Sequence, residues 1–178
     1  MIISISGDAA SGKSTVSKLL ARKLKYKHYS AGDLQRRIAN KMGLTITGLH
    51  TLEEKDDSID RKVDEYQKNL GETKDNFVID SWLAGHFIPH AFHVYLKCCE
   101  KEQVKRRLQH KRKEESFSKL REAESDLRKR AKLNRRRWYK FYSYDYKDMK
   151  NYDLVVDTTR ISPEQVIDKI LNRVKASK

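Results

Sequence analysis

Apolar residues fall into two rhythms along this chain. Short stretches rich in apolar residues at 2–6, 76–80, 93–97 and 154–157 read as strands, and a shorter strand is expected at 27–29. Between them the spacing turns helical. Val16, Leu19, Leu20 and Leu24 predict a helix over 13–25, and a second helix is expected over 33–42. Ile59, Val63, Tyr66 and Leu70 recur at i, i+4, i+7 and i+11 inside the polar, helix-prone stretch 47–70. A long basic helical stretch covers 100–142 and is expected to break near 114–118. Trp138, Phe141 and Tyr142, at i, i+3 and i+4, fit a helix packed on the sheet. Ser162-Pro163-Glu164-Gln165 forms a capping box for a last helix, which carries Val166, Ile167, Ile170, Leu171 and Val174 on one face. Strands alternating with helices predict a five-stranded parallel sheet covered on both faces. In such a sheet ligands bind beyond the carboxyl ends of the strands.

The 178 residues suit one domain with a sizeable core. No apolar stretch approaches the roughly 20 residues of a membrane span, and no secretory leader pattern opens the chain. The two cysteines, Cys98 and Cys99, are adjacent and unsuited to closing a loop, so a reducing, cytoplasmic setting is expected. Charge changes the picture more. The formal net charge is +14, and residues 101–140 hold 17 Lys and Arg against 6 Asp and Glu, a net of +11. Such a segment suits an anionic ligand, either a polyphosphate or RNA. The aromatic run from Trp138 to Tyr146 beside it fits stacking on single-stranded RNA as well as core packing.

Candidate chemistry begins where the first strand ends. Gly7-Asp8-Ala9-Ala10-Ser11-Gly12-Lys13-Ser14-Thr15 has the spacing G-x-x-x-x-G-K-[ST] between a strand and a helix. Backbone N–H groups of such a loop cradle phosphates, and the helix N-terminus adds positive potential. Lys13 can reach the β- and γ-phosphates of ATP, and the Ser14 hydroxyl can hold Mg²⁺. After the second strand, Ser30-Ala31-Gly32 opens a helix with Arg36 one turn in, a second candidate anion site. Asp80 closes the third strand, placed for the water shell of Mg²⁺, for an acceptor, or for a helix N-cap. Arg128, Arg130, Arg135 and Arg136 lie in a run able to clamp phosphoryl oxygens, with only two or three of its arginines expected to touch ligand.

This ordered set resembles the nucleoside monophosphate kinases, most of all the archaeal type of cytidylate kinase. The motifs that carry the resemblance are the opening Ile-Ser-Ile-Ser-Gly-Asp-Ala-Ala-Ser-Gly-Lys-Ser-Thr, then Ser-Ala-Gly-Asp-Leu-Gln-Arg, and Ile-Asp-Arg-Lys-Val-Asp at 59–64. Phe-Val-Ile-Asp with Leu-Ala-Gly at 83–85, Tyr-Asp-Leu-Val-Val-Asp-Thr-Thr at 152–159 and the closing Pro-Glu-Gln-Val complete it. The resemblance implies a three-layer P-loop NTPase fold with core 1–31, 75–109 and 138–178. It implies an acceptor-binding insertion at about 32–74 and an arginine-rich lid at about 110–137. It further implies transfer of the ATP γ-phosphoryl group to CMP or dCMP with Mg²⁺, and a monomer is expected. On this basis Gly7 to Thr15 serve ATP, with Lys13 catalytic and Ser14 and Asp80 serving the metal. Ser30, Gly32, Arg36, Asp80 and Trp82 serve the acceptor, and Arg128, Arg130, Arg135 and Arg136 supply the catalytic arginines. One position departs from the family pattern: Trp82 stands where an arginine is expected to grip the acceptor. Loss of such a charged hydrogen-bond partner costs roughly 1.5–3 kcal/mol. The alternatives are a P-loop kinase with another acceptor and an RNA-associated ATPase.

Overall fold

The computed structural model describes residues 1–53, 56, 58–109 and 120–176. Among these residues, five strands form one parallel sheet in the order β2-β3-β1-β4-β5. They are β1 (Ile2–Gly7), β2 (Lys27–Ser30), β3 (Phe77–Asp80), β4 (Phe92–Lys97) and β5 (Leu154–Asp157). The helices are α1 (Lys13–Leu24), α2 (Ala31–Lys41), α3 (Ile46–Glu53), α4 (Ser58–Thr73), α5 (Ala84–Phe87), α6 (Glu100–Gln109), α7 (Leu120–Tyr142) and α8 (Pro163–Ala176). The expected break near 114–118 lies outside the described residues. The stretch 47–70 forms two helices, α3 and α4. The four residues of α5 are too few to show a period.

Strand β1 is buried along its whole length, as the central strand of a doubly covered sheet must be. Its side chains alternate between two cores. Ile3 and Ile5 join Val78, Val94 and Leu96 under Leu20 of α1 and Ile167 and Ile170 of α8. Ile2, Phe77 and Ile79 face the other way, onto Leu70 of α4 and Ile88 after α5. The capping box forms as expected: Gln165 N donates to Ser162 Oγ (3.3 Å), and Ser162 N donates to Gln165 Oε1 (2.8 Å). A separate small core of Ala39, Ile46, Leu49 and Ile59 holds α2, α3 and α4 together as an arm beside the sheet. Trp138 and Tyr146 of the aromatic run are buried against Leu83 and Tyr95, while Tyr139 is exposed.

The parallel register positions the site. Ile5 pairs with Asp80 and Ser30 also pairs with Asp80, so the ends of β1, β2 and β3 meet at one edge of the sheet. Among the described residues, no helix is long and apolar enough to cross a membrane.

Candidate active site

The loop between β1 and α1 is shaped by two glycines. Gly7 (φ 142°) lies so close to β4 that a Cβ would stand 2.3 Å from Leu96 O, and Gly12 (φ 94°) turns the chain into α1. Asp8 N donates to Leu96 O (2.9 Å) and Thr158 Oγ1 donates to Ser11 O (3.0 Å), which fastens the loop to its neighbours. Lys13 Nζ turns back along the loop and donates to Gly7 O (2.9 Å) and Asp8 O (2.6 Å).

Asp8 is buried behind the loop, where its carboxylate accepts from Tyr95 OH (2.8 Å), Lys147 Nζ (2.5 Å) and Cys98 N (3.0 Å). Burial alone would raise its pKa. The Lys147 ammonium and the Cys98 and Tyr95 donors outweigh burial and hold the carboxyl below its usual range. Asp8 therefore stays charged and ties the loop to the segment after α7.

In front of the loop lies a cavity of about 220 Å³. Ala9, Ala10, Gly12, Lys13, Ser14 and Thr15 of the loop line it, while Gly7, Asp8 and Ser11 hold the loop to its neighbours. Gly32, Arg36, Asp80 and Trp82 line it as well. Ser30 caps α2, accepting from Asp33 N (3.2 Å), and donates to Asp80 Oδ1 (2.7 Å). His28 Nε2 lies 2.9 Å from Asp80 Oδ2. Arg36 pairs with Asp33 within α2 while still lining the cavity.

Among the described residues, the arginines of α7 do not line this cavity. Arg128 pairs with Glu100 (2.6 Å), Arg135 pairs with Asp145 (2.5 Å), and Arg136 is exposed. The side chain of Arg130 lies outside the described residues. At about 100° per residue, Arg136 lies opposite the buried stripe Leu127, Asn134 and Trp138, while Arg128 and Arg135 lie on the same flank of it, across the stripe from the buried Arg137. The cavity wall takes Arg106 and Arg107 of α6. Arg106 donates to Thr158 O (2.7 Å), and Arg107 donates to Asp126 (2.6 Å), whose other oxygen accepts from Thr47.

Sequence reasoning also passed over the floor of the arm. Asp60, Asp64 and Gln67 line the cavity from α4. They stand at i, i+4 and i+7, beside the apolar Ile59, Val63 and Leu70, and this polar spacing was the available signal. Arg137, 2% exposed, meets Asp60 (2.8 Å) and Glu53 (2.9 Å), and Tyr142 OH donates to Asp64. One guanidinium thus faces two buried carboxyls. Burial, with the nearby Asp60 charge, outweighs the attraction of Arg137 and pushes Glu53 up to about 7.

Residues 2–160 match the model of the cytidylate kinase-like family. The chain belongs to that family. Membership makes it a phosphotransferase of the nucleoside monophosphate kinase class. It is 36% identical over 178 residues to the cytidylate kinase of Natronomonas pharaonis, covering 99% of this chain and 90% of that one. To the cytidylate kinase of Archaeoglobus fulgidus it is 33% identical over 179 residues, covering 100% and 97%. The crystal structure of shikimate kinase from Aquifex aeolicus shares the fold, with a TM-score of 0.60, 25% identity and coverage of 99% and 98%.

The raised pKa of Glu53 has a thermodynamic consequence. Free glutamate titrates near 4.3, so between about pH 4.5 and 7 the folded chain holds a proton that the unfolded chain has released. Glu53 therefore contributes stability at low pH that is lost as pH rises through about 7. Glu53→Gln cannot titrate. Urea unfolding from pH 5 to 8 should show the advantage of wild type over this variant shrinking by on the order of 1–3 kcal/mol as pH rises. A pH-independent difference would contradict the assignment.

Proposed function

We propose that this chain transfers the γ-phosphoryl group of ATP to CMP or dCMP, yielding ADP and the cytidine diphosphate. The observation that carries this reading is that Lys13 and Arg36, heads of two anion sites on different strand ends, line one cavity. An oxygen of the acceptor phosphate attacks the γ-phosphorus, and the bond from that phosphorus to the β–γ bridging oxygen breaks. The acceptor phosphate is already ionised, so no general base is required. Catalysis reduces to positioning and to offsetting charge. Lys13, Arg106 and Arg107 are the cations of the wall that can meet the β- and γ-phosphates, and Arg36 sits where the acceptor phosphate arrives.

Mg²⁺ fits the donor set. Ser14 Oγ and the Asp80 carboxylate are hard oxygen ligands on the same cavity, suited to that ion directly or through its waters. When bound, the ion would neutralise charge on the β- and γ-phosphates. The two Asp80 oxygens each hold one protein partner, which fixes the carboxylate for that contact.

The arm favours a base with an exocyclic amine. Asp60 and Asp64 present acceptor oxygens, and Gln67 presents both an acceptor and donors. Burial first, and the Asp60 charge beside it, outweigh the Tyr142 hydroxyl and push Asp64 up to about 6. Cytosine offers an amine to such a floor, whereas uracil does not. A second reading, an RNA-associated ATPase, draws on the outward face of α7, where Lys129, Lys132, Arg136, Tyr139 and Lys140 are exposed.

A coupled ADP-release assay across CMP, dCMP, UMP, AMP and GMP should give the highest kcat/KM with the cytidine nucleotides; no turnover with any of them would contradict the reading. Lys13→Ala should lower kcat by about 10²–10³ or more without loss of fold, and near-normal turnover would remove Lys13 from its role. Single-stranded RNA binding that collapses between about 50 and 200 mM salt would support the second reading, and absent binding would dismiss it.

A further inference from the structure

The turn after β3 is aimed at the phosphate loop by strand register. Ile5 pairs with Asp80, and Ser81 N donates to Ile5 O (3.1 Å), so the chain leaving β3 runs beside the strand end that opens the loop. Trp82 follows and points back across it. Its indole N–H donates to Gly7 O at 2.6 Å, the same carbonyl that accepts Lys13 Nζ at 2.9 Å. The Lys13 ammonium also stands 4.9 Å from the centre of the indole ring, within range of a cation–π attraction. Trp82 therefore meets Lys13 twice, through a shared acceptor and through its π face.

The indole is itself held. Its ring lies 5.4 Å from that of Trp138 and 5.9 Å from that of Tyr146, both buried. Tyr146 precedes Lys147, which binds Asp8 behind the same loop. A bulky side chain with two rotatable bonds, packed on one side and hydrogen-bonded at its tip, has little freedom left. A cation resting on it inherits that order. An arginine at this position would bring a second positive charge beside Lys13. The indole supplies an electron-rich face and a donor, with no charge of its own.

We propose that Trp82 is a positioning residue for Lys13, setting the ammonium in the cavity where the β- and γ-phosphates of the donor will meet it. The proposal rests on the reading of residues 7–15 as the ATP loop and is independent of which acceptor is used.

A double-mutant cycle on ATP affinity, measured by calorimetry with no acceptor present, tests it. Trp82→Leu should weaken ATP binding about 5- to 20-fold in the wild-type background. In a Lys13→Ala background the same substitution should change affinity by less than about twofold, because its partner is gone. Trp82→Phe keeps a π face and loses the N–H, and should fall between wild type and Trp82→Leu. Thermal melts report folding of each variant; if Trp82→Leu does not fold, the cycle is run with Trp82→Phe and the same non-additivity is expected. An equal loss in both backgrounds would make Trp82 a packing residue and overturn the proposal. So would unchanged ATP affinity, including the case where only the acceptor KM rises. Failure of wild type to bind ATP would remove the loop reading beneath it. Failure of the acceptor panel with the cycle intact would remove only the choice of acceptor.

Discussion

The backbone of Gly7 is pressed against Leu96 so closely that no side chain fits between them, and the rest of the site follows from that contact. It fixes where β1 ends and where the loop turns. It leaves the Gly7 carbonyl open to Lys13 and Trp82, which both donate to it. It also places Asp8 next, tucked under β4, with its carboxylate held by Tyr95, Cys98 and Lys147. Within the loop, Ser11 N donates to Asp8 O (3.2 Å) and Lys13 bonds back to Gly7 O and Asp8 O. Further ties to the loop come from partners behind it, drawn from β4, from the chain around Thr158 and from the segment after α7.

The acceptor side is ordered by a different force. A guanidinium buried among carboxyls joins α7 to α3 and α4, at a desolvation cost that well-packed apolar residues would avoid. What it contributes is specificity of arrangement. Asp60 and Asp64 are held at the cavity floor by Arg137 and Tyr142 behind them, so the same carboxyls tie the helices together and line the cavity. Asp126, shared between Arg107 and Thr47, makes a second tie of the same kind near the wall. The two sides of the cavity are thus built by unlike means: backbone geometry at the loop, buried charge at the arm.

Much of this was legible in the residue pattern. The loop, the parallel strands and the capping box depend on local spacing, which a sequence displays directly. Cys98-Cys99 and the basic stretch bounded the setting without locating anything. Less legible were features that depend on helix phase and on distant partners. Arg137 sits among arginines that are exposed, and the burial of Leu127, Asn134 and Trp138 shows which side of α7 turns inward. A polar Asn at a buried position disguised that stripe. Arg106 and Arg107 belong to a helix whose apolar positions, Val104 and Leu108, are few, so their approach to the cavity had no periodic signal. Trp82 stands out in the sequence as a departure from the family pattern; its contact with Lys13 is a product of register between β1 and β3, which no local window reveals.

The central claim is that donor and acceptor phosphates meet in one cavity between Lys13 and Arg36. The most direct test is binding of a compound that joins adenosine and cytidine through a bridge of five phosphates, compared by calorimetry with ATP and with CMP alone. Two sites at the right separation predict an affinity about 10²-fold or more beyond that of ATP, with both nucleotides displaced in competition. Affinity no better than that of ATP, with CMP still able to bind beside the compound, would contradict a shared cavity.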